Sequence, residues 1–403
     1  MMTLPRSSAP LASDRRAFLA YCSSLGLGST LLPGVLWGRI AAGDPITKET
    51  IAAAEQVAGV TFTDAERAMM VENLTQQRQA IDALHRIPLE NATAPALVFD
   101  PIPPGESLPT KEPRKPVRER VALIARPGSL EELAFQPIGR VADLLAKKKV
   151  KSEELTRMYL DRIKRYDAQI HSVITLFEED AITQAIVADE DFRHGRVRSP
   201  LQGIPWAAKD LLAVKGYKTT WGAGPYKDQV IDANATVVDR LNRAGAVLLG
   251  KFSLGELAQG DVWYGAQTRN PWWPDQGSSG SSAGPAAAVS AGFAAFGIGS
   301  ETLGSISSPA TRCGVTGLRP TFGRVPRTGA MALAWSMDKI GPIARTAEDC
   351  ALILSAIQGP DGFDRSVRDY SFNWDATARP GNRRSSITSA GNVACTAMTR
   401  SAR

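Results

Sequence analysis

Acid–base chemistry in this chain has to run with little histidine. Of 403 residues only His85, His171 and His194 are histidines, and none follows position 194. A metal site built on several imidazoles is therefore not expected, and neither HExxH nor Cys-x-x-Cys spacing occurs. Cys22, Cys313, Cys350 and Cys395 are too few and too scattered for a disulfide framework. Gly245-Ala-Val-Leu-Leu-Gly250-Lys251 has the spacing of a phosphate-binding loop, yet Phe252 stands where the magnesium-binding hydroxyl belongs. Its four intervening residues are strand-forming apolars, whereas a phosphate cradle needs backbone amides exposed in a turn. Ala246–Leu249 is expected to be a core strand. Gly280-Ser281-Ser282-Ala283-Gly284 matches the G-x-S-x-G elbow of α/β-hydrolases. That elbow needs its base histidine later in the chain, and there is none.

A base of another kind is available. Lys209 stands alone in the apolar, strand-like run Gly203–Leu212. Such a lysine ordinarily snorkels to the surface, but full burial lowers its pKa enough to leave a neutral amine. A second feature is the segment 277–312, in which 24 of 36 residues are Gly, Ala or Ser and only Glu301 and Arg312 are charged. As a linker it would be flexible. However, Val289, Phe293, Phe296 and Ile298 interleave with the small residues, so Ala286–Ala291 reads as a helix and Phe296–Ile298 as a strand. Small residues among apolars let backbones approach closely and keep serines dry, which suits a loop-built active site.

Taken together, GIPWAAKDLL (203–212), GAVLLGKFSLGELAQG (245–260), GSSGSSAGPAAAVSAG (277–292) and IGSETLGSISSPATRCGVTGLRPTFGRVPRTG (298–329) resemble the amidase signature family of serine hydrolases. The resemblance is co-linear from about Ile138 to Asp364. It implies an α/β fold with one large domain, a mixed β-sheet flanked by helices. It also implies a Ser–Ser–Lys triad without cofactor or metal. The family lysine falls on Lys209 and the nucleophile of the G-[ST]-[DE]-x-G-G-S segment on Ser305. The bridging serine, preceded by a cis peptide bond in the family, falls on Ser281, with Ser282 as a supporting hydroxyl. Oxyanion donors would be the backbone N–H groups of Thr302, Leu303, Gly304 and Ser305. The implied chemistry is hydrolysis of a carboxamide or ester through an acyl-enzyme. Leu303 departs from the family pattern by replacing the first glycine of its pair, and its side chain is expected to narrow the pocket. Ala283, Pro285 and Ser307 also depart, Ser307 standing where an arginine is usual.

The elements that would position these groups follow from composition and periodicity. With 43% hydrophobic and 22% charged residues the chain is an ordinary globular one. Its net charge of +6 sits at the ends: residues 376–403 carry five arginines and no acid, and residues 1–42 four arginines and one aspartate. The body between them has no electrostatic footprint for nucleic acid. Ser13-Asp14-Arg15-Arg16-Ala17-Phe18-Leu19 resembles a twin-arginine export signal, followed by a weakly apolar stretch and small residues at Ala41-Ala42. That stretch is too short and interrupted for a stable membrane span, and periplasmic or other export is the expected localisation, cytoplasmic the alternative. A helical N-terminal extension and a proline-rich tether (Pro101, Pro103, Pro104, Pro109, Pro113, Pro116) span 43–130. A helix over Ala65–Leu84 is capped by Asp64 or Thr63. Helices follow at Ile138–Lys148 and at Ser152–Tyr166, the latter with Leu155, Met158, Tyr159 and Ile163 on one apolar face. The signature domain runs over 131–380. From Gly381 the sequence loses all periodicity, so 381–403 is expected to be a disordered basic tail on a domain incomplete at its C-terminus. A poorly soluble, inactive fragment or a binding protein is the alternative to an active amidase, and the A-type component of an amidotransferase is a third. The expected partner is a small amide substrate, and a homo-oligomer is compatible with the sequence.

Overall fold

The computed structural model describes residues 45–91, 93, 95, 96, 100, 102–106, 115–118 and 125–377. The twin-arginine-like segment at 13–19 and the basic tail at 381–403 lie outside the described residues. Two units divide the chain, residues 1–90 and 91–403. In the first, helix α1 (Lys48–Ala58) is followed by α2 (Asp64–His85). Thr63 is the N-cap of α2: its hydroxyl accepts from the Glu66 N–H, and the Glu66 carboxylate accepts from the Thr63 N–H at 2.6 Å. The Arg67 guanidinium reaches back from α2 to the Glu55 carboxylate of α1 at 2.8 Å.

The second unit opens with a 3-10 turn (Leu130–Phe135), α3 (Ile138–Ala146) and α4 (Ser152–Ile170). Leu155, Met158, Tyr159 and Ile163 are buried together on one face of α4, as the heptad-like spacing predicts. The start of α4 is capped from outside, however. Asp189 accepts from the Ser152 and Glu153 N–H groups at 2.7 and 3.0 Å. That leaves the Ser152 hydroxyl free to donate to the Gly203 carbonyl at 2.8 Å, just ahead of the central strand. Asp189 belongs to α5 (Glu178–Arg193), which follows strand β1 (Val173–Leu176) and packs on α4.

The chain then lays down β2 (Pro205–Lys209), α6 (Thr236–Arg243) and β3 (Val247–Phe252). Two short ribbons follow, β4 (Val262–Trp263) with β5 (Ala266–Gln267) and β6 (Arg269–Asn270) with β7 (Trp273–Gly277). After them come α7 (Ala283–Ala291), β8 (Phe296–Glu301), α8 (Ser307–Cys313), β9 (Thr316–Gly317), β10 (Lys339–Ala344) and α9 (Ala347–Ile357). Six strands make one mixed sheet in the order β1-β3-β2-β8-β10-β9. β2 runs parallel to both its neighbours, and β1, β10 and β9 join antiparallel. With both faces covered, β2 and β3 are buried along their whole length, the condition parallel strands normally need. Trp206 and Phe296, directly opposite in the β2–β8 register, are both fully buried and stack at 6.0 Å.

Helix α7 owes its place to small residues. A Cβ on Gly297 would lie 2.8 Å from Pro285, and one on Gly299 2.6 Å from the Ser282 hydroxyl oxygen. The glycines alternating along β8 thus allow the N-terminal end of α7 to lie directly on the strand. Of the proline-rich stretch, Val117 bridges to Asp375, its N–H donating to the Trp374 carbonyl at 2.9 Å.

A second lysine is buried beside Lys209. Lys251, the last residue but one of β3, is the lysine of the phosphate-loop look-alike; it lies inside the strand, with its ammonium 2.6 Å from Asp210 and both side chains inaccessible. Asp210 also accepts from the Thr220 N–H and hydroxyl at 2.9 and 2.5 Å, and Lys251 donates to the Thr219 hydroxyl at 3.0 Å. The pair therefore locks the end of β2 to β3 and to the 219–220 loop. Removing one partner of a buried pair leaves an uncompensated charge, costing about 3–5 kcal/mol. Lys251→Met should lower unfolding stability by that amount in urea titration, despite leaving the apolar packing of β3 intact.

Candidate active site

Strand β2 ends on Lys209, whose side chain is wholly inaccessible. Its Nζ lies 2.8 Å from the Ser281 hydroxyl oxygen, 2.9 Å from that of Ser300 and 3.1 Å from that of Ser282, with the Ser300 carbonyl at 3.4 Å. Among the described residues no carboxylate forms an ion pair with it. Burial pulls the lysine pKa down to about 7, with Asp338 and Glu301 opposing that shift through space. At neutral pH a large fraction of this amine is therefore unprotonated.

Ser281 lies in the loop that leads from β7 into α7, is 1% exposed, and follows a cis peptide bond from Gly280. Ser282 begins the turn into α7; its hydroxyl donates to the Ser300 carbonyl at 3.1 Å and accepts from the Ser300 N–H at 3.2 Å. Its N–H donates to the Ser305 carbonyl at 3.0 Å, tying the two serine loops together. Ser305 sits between β8 and α8, half-buried, and its hydroxyl bonds to no described residue. The structure therefore gathers Lys209, Ser281 and Ser282 by direct hydrogen bonds. It joins Ser305 to them through backbone; among the described residues no hydrogen bond links the Ser281 and Ser305 hydroxyls.

The loop around Ser305 is built on Glu301. Its carboxylate accepts from the Ile306 and Ser307 N–H groups at 2.9 and 2.8 Å and from the Ser307 hydroxyl at 3.0 Å. Burial pushes this carboxyl up, and the N–H groups of Ser307, Ile306 and Gly304 more than reverse it, holding it below the usual range. The serine at 307 thus adds a neutral donor, and the cation facing Glu301 is Arg319, 3.2 Å away. Gly304 has φ 100°, a conformation that favours glycine. Leu303 is not in the left-handed region, which is why a side chain is accepted at that position of the pair and not at the next. Leu303 is 81% exposed. The N–H groups of Thr302, Leu303 and Ser305 donate to no described residue, whereas that of Gly304 faces Glu301.

Two participants escaped the sequence reading. Ser300 is as close to the lysine as Ser281 is, and the signal lay in the [ST] position of the motif that located Ser305. Asp338, from the turn before β10, accepts a hydrogen bond from the Thr302 hydroxyl and from the Leu333 and Ala334 N–H groups at 2.7 and 3.0 Å. The three histidines stand elsewhere: His85 ends α2, and His171 and His194 are the C-caps of α4 and α5. Among the described residues no group of three or more His, Cys, Asp or Glu side chains gathers, and no helix is long and apolar enough to cross a membrane.

This arrangement can be set beside known proteins. The sequence model of the Amidase family matches residues 154–391. The A-type component of glutamyl-tRNA(Gln) amidotransferase from Moorella thermoacetica is 43% identical over 241 residues, 59% of this chain and 50% of that protein. Its counterpart from Acinetobacter baylyi is 44% identical over 255 residues, 61% and 51% of the two chains. Among solved structures, native peptide amidase from Stenotrophomonas maltophilia aligns with TM-score 0.56 at 38% identity, covering 59% of this chain and 50% of that one. An amidase family protein from Bacillus anthracis aligns with TM-score 0.56 at 34% identity, covering 59% and 49%. The chain spans about half the length of the curated relatives it matches. A mixed sheet whose strand β2 ends in a buried lysine, a serine loop hydrogen-bonded to that lysine, and a family match over more than half its residues agree on one assignment: the chain belongs to the amidase family.

Proposed function

We propose that this chain carries the acyl-transfer site of an amide hydrolase, with Ser305 as nucleophile, Ser281 as proton relay and Lys209 as base. The observation that carries the reading is the buried lysine, brought to about 7 and hydrogen-bonded to three serine hydroxyls and one backbone carbonyl. A lysine in that state takes a proton at neutral pH, as a general base must. Neutral Lys209 accepts the Ser281 proton while Ser281 accepts that of Ser305, and the Ser305 oxygen bonds to the carbonyl carbon of the substrate. The oxyanion is met by backbone N–H groups, of which those of Thr302, Leu303 and Ser305 have no competing acceptor among the described residues. The proton then returns through Ser281 to the leaving nitrogen, the C–N bond breaks, and water hydrolyses the resulting ester of Ser305. The solved peptide amidase supports a small carboxamide as substrate. The curated relatives are components of amidotransferases, which supports a second reading of the same chemistry, performed within an assembly. For cellular location we infer export, on the Arg15-Arg16 motif; Arg15→Lys with Arg16→Lys should leave the precursor in the cytoplasm in a fractionation assay, and normal export of the double variant removes the inference.

A fluorophosphonate probe tests the site directly. The purified chain should be labelled at Ser305, read by peptide mass spectrometry, and Ser305→Ala should not be labelled; attachment elsewhere, or none, would defeat the assignment. The labelling rate should climb with one ionisation near pH 7 and level off above it, because only the deprotonated lysine serves as base. Lys209→Ala should slow cleavage of amides more than of matched esters, since an amine leaving group needs the relayed proton and an alkoxide needs it less. Equal losses on both substrates would speak against a lysine-to-leaving-group relay.

A further inference from the structure

Thr302 is gripped twice, from the first residue of β10 and from the turn just before it. Its hydroxyl donates to Asp338, and its carbonyl accepts from the Lys339 ammonium at 3.1 Å. Lys339 opens β10 and is paired in register with Glu301, the last residue of β8, so its side chain starts next to the loop it holds. Asp338 is itself anchored by the Leu333 and Ala334 N–H groups, which makes the grip a fixed point and not a swinging side chain.

The Thr302–Leu303 peptide bond is trans, so its carbonyl and its N–H point in opposite directions. With the carbonyl turned to the Lys339 ammonium, the Leu303 N–H is turned away from that ammonium. Across β8 from β10 lies β2, the strand that carries Lys209. The Leu303 side chain, 81% exposed, cannot fix that plane by packing, and its N–H has no described acceptor to fix it by hydrogen bonding. We propose that Lys339 is a positioning residue for the oxyanion site: by holding the Thr302 carbonyl it aims the Leu303 N–H at the reacting oxygen. The inference rests on the acyl-transfer reading above.

The test compares labelling rates of the full chain with the same fluorophosphonate at pH 9, on the plateau where a change in Lys209 protonation does not enter. Its phosphoryl oxygen occupies the oxyanion position as the bond to Ser305 forms. Lys339→Met and Lys339→Leu remove the donor, and Lys339→Gln removes the charge but keeps a donor. The first two should label Ser305 at least about tenfold more slowly, a fraction of the effect of losing an oxyanion donor outright. Lys339→Gln should stay within about threefold of the unaltered chain, by the same reasoning that one donor hydrogen bond is kept. Urea midpoints of all three variants separate this from unfolding, and having two donorless variants leaves one if the other does not fold. Unchanged rates in Lys339→Met or Lys339→Leu, or a Lys339→Gln rate as low as theirs, overturn the positioning role while leaving the Ser305 assignment standing. Failure of the unaltered chain to label overturns the acyl-transfer reading, and this inference with it.

Discussion

The rest of the site depends on a lysine sealed in a β-sheet with no counter-ion at contact distance among the described residues. Lys209 ends β2, Lys251 lies one residue before the end of the neighbouring parallel strand β3, and the two are equally inaccessible. Burial lowers the pKa of each, but the two are handled in opposite ways. Lys251 is given a carboxylate at contact distance, which supports its charge and turns it into a structural tie. Lys209 is given hydroxyls, which can donate to a neutral amine as readily as they accept from an ammonium. The aspartate that makes a clamp of Lys251 directly follows, in the chain, the lysine that is denied it.

Hydroxyls can be brought that close only if nothing bulky stands between the strand and the serine loops. That is the physical purpose of the Gly, Ala and Ser excess in 277–312. Glycines on β8 admit Ser282 to the strand, and the short side chains of α7 let the helix lie flat against it. The same economy leaves the Ser305 loop with few side chains of its own to hold it. It is fastened from outside, by Glu301 on the Ile306 and Ser307 amides and by Asp338 and Lys339 on Thr302.

Much of this was legible in the sequence because it is local. The alternation of apolar residues, the break at Lys209 and the helical face of α4 are each set within a dozen positions. The strand expected over 246–249 runs from Val247 through Phe252, since burying Lys251 requires Asp210, which lies about forty residues earlier, just past the end of another strand. Ser300 and Asp338 were overlooked for a related reason. Their partners are brought to them by strand register, and register is decided by pairing across the sheet, not by spacing along the chain. The cap of α4 by Asp189 is the same case for a helix: the residue that satisfies the first amides comes from a neighbour that only folding supplies.

A lysine that is neutral in the sheet and charged in the unfolded chain also couples folding to protons. Between about pH 7 and the ordinary lysine value of 10.5, the unfolded chain holds a proton on Lys209 that the folded chain has largely released. Unfolding therefore takes up a proton in that window, and the contribution of this residue to stability rises with pH by up to about 1.4 kcal/mol per unit. Below the window both states are protonated, and the sheet must enclose an ammonium. The feature that leaves a neutral amine beside the serines thus makes the fold itself a proton donor as it closes, and mildly alkaline conditions relieve β2 of its buried charge.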